Sequence, residues 1–309
     1  RAPPTTEPMA PCTRAAKARA AAAAEATCLL LDLSHDEVSI VTHELCDPLR
    51  PLLAVHLSST AKGLWVPMQE QLAELRQRHA EAAAMARAWG LSCAALADAT
   101  ELQLGAFNNK PLTLAHWRTL GMLVGCGSLP RLVTLDIFDD DNGDEGVVSL
   151  ADGLRRGRLP SLKKLHLVDA QIGPQGATAL APALTKRALP SLKGLVLDGN
   201  PLGDAGLAAL LPALRRLPPL KVLGLEETNI GDEGVASLVA QPTAGALKSL
   251  ERLRLSYNQI TDAGCATLAS ALRGGALPAL KVLNLNENPA ASPQAQATVW
   301  AALFARSEQ

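Results

Sequence analysis

The sequence predicts an α/β repeat solenoid preceded by a small helical domain. Three observations carry that expectation. From Leu129 one phrase is restated: "LPxL" begins at Leu129, Leu159, Leu189, Leu217, Leu247 (as "LKSL") and Leu277, at intervals of 30, 30, 28, 30 and 30 residues. A fixed period of this size marks stacked units that bury a continuous core only together. Each unit sets a short alternating apolar run before a helical one, so it reads as strand then helix. Residues 28–98 have a different texture, with Leu33, Val38, Val41, Leu45, Leu49 and Leu52 at helical spacings broken by Pro48 and Pro51.

Residues 1–27 are rich in Pro and Ala and carry Arg14, Lys17 and Arg19. Nothing there offers a face to bury, so the expectation is a disordered or loosely helical arm. Its basic, Ala-rich character also suits an organelle leader. In the next zone Ser34 is placed as an N-cap with Glu37 as its capping-box partner. "VPMQEQLAELRQRHAEAAAMARAWG" then reads as one helix with Pro67 near its start and Gly90 at its end.

From residue 99 to 309 the repeats dominate. Residues 101–128 form a degenerate first repeat, with Leu102 and Leu104 on the strand and Trp117 on the helix. In the six full repeats the pattern LxxLxL recurs, as in Leu192/Leu195/Leu197 and Leu250/Leu253/Leu255. Alternation places Leu195 and Leu197 inside and Val196 on the exposed strand face. Turns follow ("GDEG", "GPQG", "GDAG", "TDAG"), in which Asp144, Asp204, Asp232 and Asp262 are placed to cap the helices after them and the paired glycines to turn the chain. A closing helix over 292–306 has Ser292 as N-cap and Pro293 behind it, with Trp300, Leu303 and Phe304 on the last core layer.

The pattern LxxLxLxxN-x-Ile/Leu-Gly-Asp-x-Gly, fullest in "LKGLVLDGNPLGDAG" and "LERLRLSYNQITDAG", resembles the leucine-rich repeat family in its ribonuclease-inhibitor-like form. The resemblance implies a horseshoe with parallel strands on the concave face and helices on the convex face. It also implies an Asn that bonds the backbone of neighbouring turns. Asn200, Asn258 and Asn288 fill that slot, whereas Asp140, Ala170 and Thr228 replace it, so the ladder is expected to be imperfect.

Composition narrows function. With 29 Lys+Arg against 30 Asp+Glu the net charge is -1, so no basic excess suggests nucleic acid. No apolar run approaches the roughly 18 residues of a membrane span. The six cysteines form no regular frame, which reads as reduced thiols in a cytoplasmic protein. "FDDDNGDEG" invites calcium, but with Gly143 as the sixth residue the first and twelfth positions are Phe138 and Ser149, which supply no ligand pair. Of Cys28, His35, His43 and Cys46, only the last two have zinc-ligand spacing. No nucleophile elbow, P-loop or dinucleotide fingerprint occurs. Ran GTPase-activating proteins share the repeat type, yet no Arg here matches the loop Arg they use. The expectation is a binding protein without cofactor or metal, and a monomer.

The binding surface is expected on the exposed strand positions. Phe138/Asp139, Asp169, Asp198, Glu226/Glu227, Tyr257 and Glu287 form a row after the strand cores, with His166 and Arg254 beside them; Lys163, Lys193, Lys221 and Lys281 form a row before, broken by Glu251. Such a surface suits a protein client with a basic segment. Finally, "LSHDEVSIVTHELCDPLRPLLAVHLSSTAKGL" resembles an F-box, with Ser34 where that family has Pro and Ala61 or Lys62 at its Trp. The resemblance implies a client-recognition adaptor of a cullin-type ubiquitin ligase, in which Leu33, Val38, Leu45 and Leu52 face the linker subunit. The alternatives are a stand-alone repeat scaffold or sensor and, more distantly, a GTPase activator.

Overall fold

The computed structural model describes residues 47–52, 69–106, 111–138, 140–240 and 245–305. The chain divides into two units, residues 1–46 with 51–77, and residues 47–50 with 78–309. Of the first unit, Leu72 and Leu75 on helix α1 (Gln69–Ala88) are buried, and Leu52 is 67% exposed. Leu33, Val38 and Leu45, the other residues of the F-box-like surface, lie outside the described residues, as do Cys28, His35, His43 and Cys46.

In the second unit α1 ends as its sequence requires. Gly90 adopts φ +72°, its N–H reaches the Arg87 carbonyl, and the Leu91 N–H reaches Ala86, a closure that favours a residue without Cβ. Ala82, Met85 and Ala86 of α1, with Leu96 and Ala97 of α2 (Cys93–Ala97), join the same apolar core as the repeats. Next come β1 (Glu101–Gly105) and α3 (Leu114–Gly125). A reciprocal capping box between Thr113 and His116 starts α3, and Trp117 is wholly buried on it.

Six strand–helix units come next: β2 (Thr134–Phe138) and α4 (Gly143–Arg156), β3 (Lys164–Val168) and α5 (Pro174–Leu180), β4 (Gly194–Val196) and α6 (Gly203–Leu214), β5 (Val222–Gly224) and α7 (Asp232–Val239), β6 (Arg252–Arg254) and α8 (Asp262–Arg273), β7 (Val282–Asn284) and α9 (Pro293–Phe304). The seven strands form one parallel sheet in chain order. Register stacks Leu135, Leu165, Leu195, Leu223, Leu253 and Leu283 in a single inward column. Leu197 is also fully buried.

Two side-chain ladders run through the turns. Asn200 donates to the carbonyls of Leu167, Leu197 and Asp198, and its Oδ1 accepts from the N–H groups of Ala170 and Ile172. Asn258 does the same for the turn at Thr228 and Ile230, and Asn288 accepts from Ile260. Because each Asn serves the turn before it, Ala170 and Thr228 receive bonds even though neither supplies the amide. Asp140 instead accepts the Trp117 indole N–H at 2.6 Å.

The second ladder corrects the expected role of the turn aspartates. They do not cap their own helices; each bonds the N-terminus of the next. Asp144 accepts from Gly173, Asp204 from Gly231, Asp232 from Thr261 and Asp262 from Ser292, all through backbone N–H groups at 2.6–2.9 Å. A carboxylate there also meets the positive end of the helix dipole. The second glycine of each turn makes room for it: a Cβ on Gly176, Gly234 or Gly264 would collide with the preceding repeat's Asp144, Asp204 or Asp232. Only the first glycine at Gly143 and Gly203 has positive φ. At α5 the Asp slot holds Pro174, and the ladder skips a rung.

The closing helix is capped by Ser292, whose Oγ accepts from Ala295. Val299, Ala302 and Leu303 cover the last core layer. Phe304, expected there, is 65% exposed, one residue beyond the buried stripe.

Candidate interaction surface

The strand face without helices presents three rows. In the middle row run Gln103, Asp136, His166, Val196, Gly224, Arg254 and Asn284. Asp136 is buried, 2.8 Å from His166 Nδ1, and accepts from Gln103 at 3.3 Å. Burial lowers the His166 pKa, and the Asp136 charge only partly offsets this. Val196, expected to be exposed, is only 6% exposed. The reason lies in its neighbour: a Cβ on Gly224 would fall 2.6 Å from Asp198 Oδ1 and 2.9 Å from Val196 Cγ1, so both side chains lean over the glycine.

Asp198 and Glu226 were expected to form part of a free acidic stripe. Instead they enclose a cation. Arg254 contacts Asp198 at 3.2 Å and hydrogen-bonds Glu226, which also accepts from Ser256 at 2.5 Å and Asn284 at 3.2 Å. Asp198 is 8% exposed and accepts from the Glu226 N–H at 2.9 Å. Burial raises its pKa from the ordinary value despite that bond and Arg254. Burial pushes Glu226 up as well, but the bonds from Arg254 and Ser256 outweigh it and leave the group below its ordinary value. The Lys row before the strands is also tempered, since Glu251 bridges Lys221 at 2.7 Å and Lys281 at 3.5 Å.

What stays exposed is the row one residue further. Asp169, Glu227, Tyr257 and Glu287 are exposed and have φ between 50° and 55°. The N–H of Glu227 bonds the Ser256 carbonyl and that of Tyr257 the Asn286 carbonyl, so adjacent turns stay about 5 Å apart. Tyr257, 60% exposed, therefore stands between Glu227 and Glu287. Among the described residues neither of these glutamates has an ion-pair partner. Phe138 is half-buried at the end of β2, and Asp139 lies outside the described residues.

The leucine-rich repeat family matches residues 158–181, 188–211, 216–239 and 246–269. These segments are leucine-rich repeats. Such repeats are protein–protein interaction modules and are generally non-enzymatic. Comparison with curated proteins finds no match. Among solved structures, the chain is similar to leiomodin-1 actin-binding site 2, at 15% identity and TM-score 0.37 over 61% of this chain and 88% of that one. It is also similar to the TLR13–ssRNA13 complex, at 24% identity and TM-score 0.35 over 64% of this chain and 24% of that one. Likeness to the yeast Rad7 and Elc1 complex covers 96% of this chain and 78% of that one, at 14% identity and TM-score 0.35.

Among the described residues no helix is long and apolar enough to cross a membrane, and no group of three or more His, Cys, Asp or Glu could hold a metal ion. Cys93, Cys126 and Cys265 are free thiols. Sequence reasoning named Arg254 but missed its pairing with Asp198 and Glu226. The signal was present: aligning the repeats puts Arg254 opposite Gly224, the position without a side chain.

Proposed function

We propose that the leucine-rich repeats bind a protein client through a basic segment laid across Glu227, Tyr257 and Glu287. One observation carries this reading: three consecutive turns keep a large exposed side chain in the left-handed region, where the equivalent turn uses Gly199. That conformation costs roughly 1–2 kcal/mol per non-glycine residue. Strained, exposed positions of this kind cluster at binding sites. An aromatic ring flanked by two carboxylates suits a Lys or Arg side chain, which can stack on the ring and pair with either acid. The test is selection of a displayed peptide library on the full chain. Enrichment of Lys/Arg-bearing peptides that Tyr257→Ala no longer retains supports the reading; enrichment indifferent to Tyr257 refutes it.

We also propose, from the F-box-like order of residues 33–64 ahead of the repeats, that the client is presented to a cullin-type ubiquitin ligase. Exposure of Leu52 is in keeping with an apolar contact for a linker subunit. Co-purification with the linker subunit, lost on Leu52→Asp, supports the adaptor role. Failure of the full chain to bind it leaves a stand-alone scaffold.

A further inference from the structure

The near-zero net charge hides a strong polarity. The last helical turns and the helix-to-strand connections of the repeats carry Arg155, Arg156 and Arg158, then Lys186 and Arg187, then Arg215 and Arg216, then Lys248, then Arg273, and their one acid is Glu251, directly before β6. The opposite connections hold the turn aspartates and glutamates. Favourable placement at helix C-termini explains about one cation per helix. It does not explain the crowding around α5.

There the repeat is irregular. α5 spans 7 residues, against 14 in α4 and 12 in α6. Pro182 supplies no N–H to the Thr178 carbonyl and the helix stops at Leu180, whereas α6 runs through Pro212. Residues 181–188 fold as turns, closed where the Thr185 hydroxyl accepts the Ala188 N–H at 3.1 Å. A groove opens on each side of this segment. The one toward α6 has a volume of ≈ 450 Å³ and a floor of Ala181, Pro182, Leu184, Ala209, Pro212 and Ala213. Its rim holds Lys186, Arg187 and Arg216. The one toward α4 has ≈ 250 Å³ and shares Pro182, Thr185 and Arg187, adding Arg155. No carboxylate lines either groove. Among the described residues Lys186, Arg187 and Arg216 have no ion-pair partner, while Arg155 pairs with Asp152.

From this arrangement we infer that the groove beside α5 is a second docking site, for an acidic segment of a protein partner that places aliphatic side chains on the Ala/Pro/Leu floor and carboxylates against Lys186, Arg187 and Arg216. Charge complementarity fixes the sign of the partner. The apolar floor calls for side chains that leave water. A nucleic acid fits less well, because the floor has no aromatic ring on which a base could stack. The site is separate from the Glu227–Tyr257–Glu287 row and of opposite charge, so one chain can hold a basic and an acidic segment at once.

The test uses fluorescence anisotropy on the full chain with three probes: a short labelled peptide of glutamates interrupted by leucines, an all-glutamate peptide of equal length, and a short single-stranded RNA. The mixed peptide should bind tightest. Arg187→Glu with Arg216→Glu should weaken it by about tenfold or more, as should the milder Arg187→Gln with Arg216→Gln to a smaller degree. Glu227→Lys should leave it unchanged, which keeps this outcome distinct from that at the strand-face site. Equal binding of the variants, or RNA bound as tightly as the mixed peptide, overturns the inference.

Discussion

The Asp204 carboxylate accepts the Gly231 backbone N–H at 2.7 Å, and Gly234 lacks the Cβ that would strike the same oxygen. The "GDxG" turn is thus read across two repeats at once: the Asp of one repeat needs the second Gly of the next. Asp204→Ala should cost about 1–3 kcal/mol by leaving the Gly231 N–H without its acceptor. Gly234→Ala should cost a similar amount through overpacking. In urea unfolding the double variant should be more stable than the sum predicts by about 1 kcal/mol or more, because removing the carboxylate makes space for the new methyl. Strict additivity would contradict the pairing.

Leu197 lies fully buried in the turn column between Leu167 and Leu225. Truncation to Ala should cost about 2–5 kcal/mol. Since neighbouring repeats stabilise one another, hydrogen exchange should quicken in the flanking turns as well as its own. Exchange confined to the mutated turn would argue against a shared core.

Arg254 holds two carboxylates together on the strand face. Arg254→Met keeps most of the stem but removes the charge, and should cost about 1–2 kcal/mol near neutral pH, discounted because the guanidinium is 42% exposed. Glu226 has a folded-state pKa below its unfolded value, so its contribution is present above the unfolded pKa and is lost as pH falls through the folded one. The gap between wild type and variant should therefore shrink in acid; a gap that widens there would contradict the assignment.

His166 also loses stability in acid, but at higher pH and because burial disfavours its charged form. Its folded pKa lies below the unfolded value of about 6.5, so the unfolded chain takes up the proton first as pH falls. Stability should decline as pH drops below about 6.5. His166→Gln should flatten that decline between roughly pH 7.5 and 5.5 in thermal melts, although His116, also lowered by burial, retains part of it. An unchanged slope would show that His166 is not shielded as described.

The architecture was legible in the sequence because period and alternation are local. The leucine columns and the Ser292 cap follow from spacing alone. The surface was less so. Whether Val196 is exposed depends on Gly224 one strand away, and whether Asp198 is free depends on Arg254 two strands away, relations that appear only when repeats are superposed. The alternation of Lys221, Glu251 and Lys281 at 30-residue steps shows that such pairing is readable once the repeat is treated as a ruler. The Asp ladder was misread for the same reason: within one repeat Asp204 looks like a cap for its own helix.

We propose Glu227, Tyr257 and Glu287 as a docking row for a basic protein segment. Its most direct test is the dissociation constant of a labelled Arg/Lys-rich peptide for the full chain and for Glu227→Lys with Glu287→Lys, measured below and above about 0.1 M salt, where the Debye length is roughly 10 Å. The predicted result is binding by the native chain that weakens with salt, and loss of at least about tenfold in affinity on charge reversal. Equal affinity of native and reversed chains at both salt concentrations would contradict it.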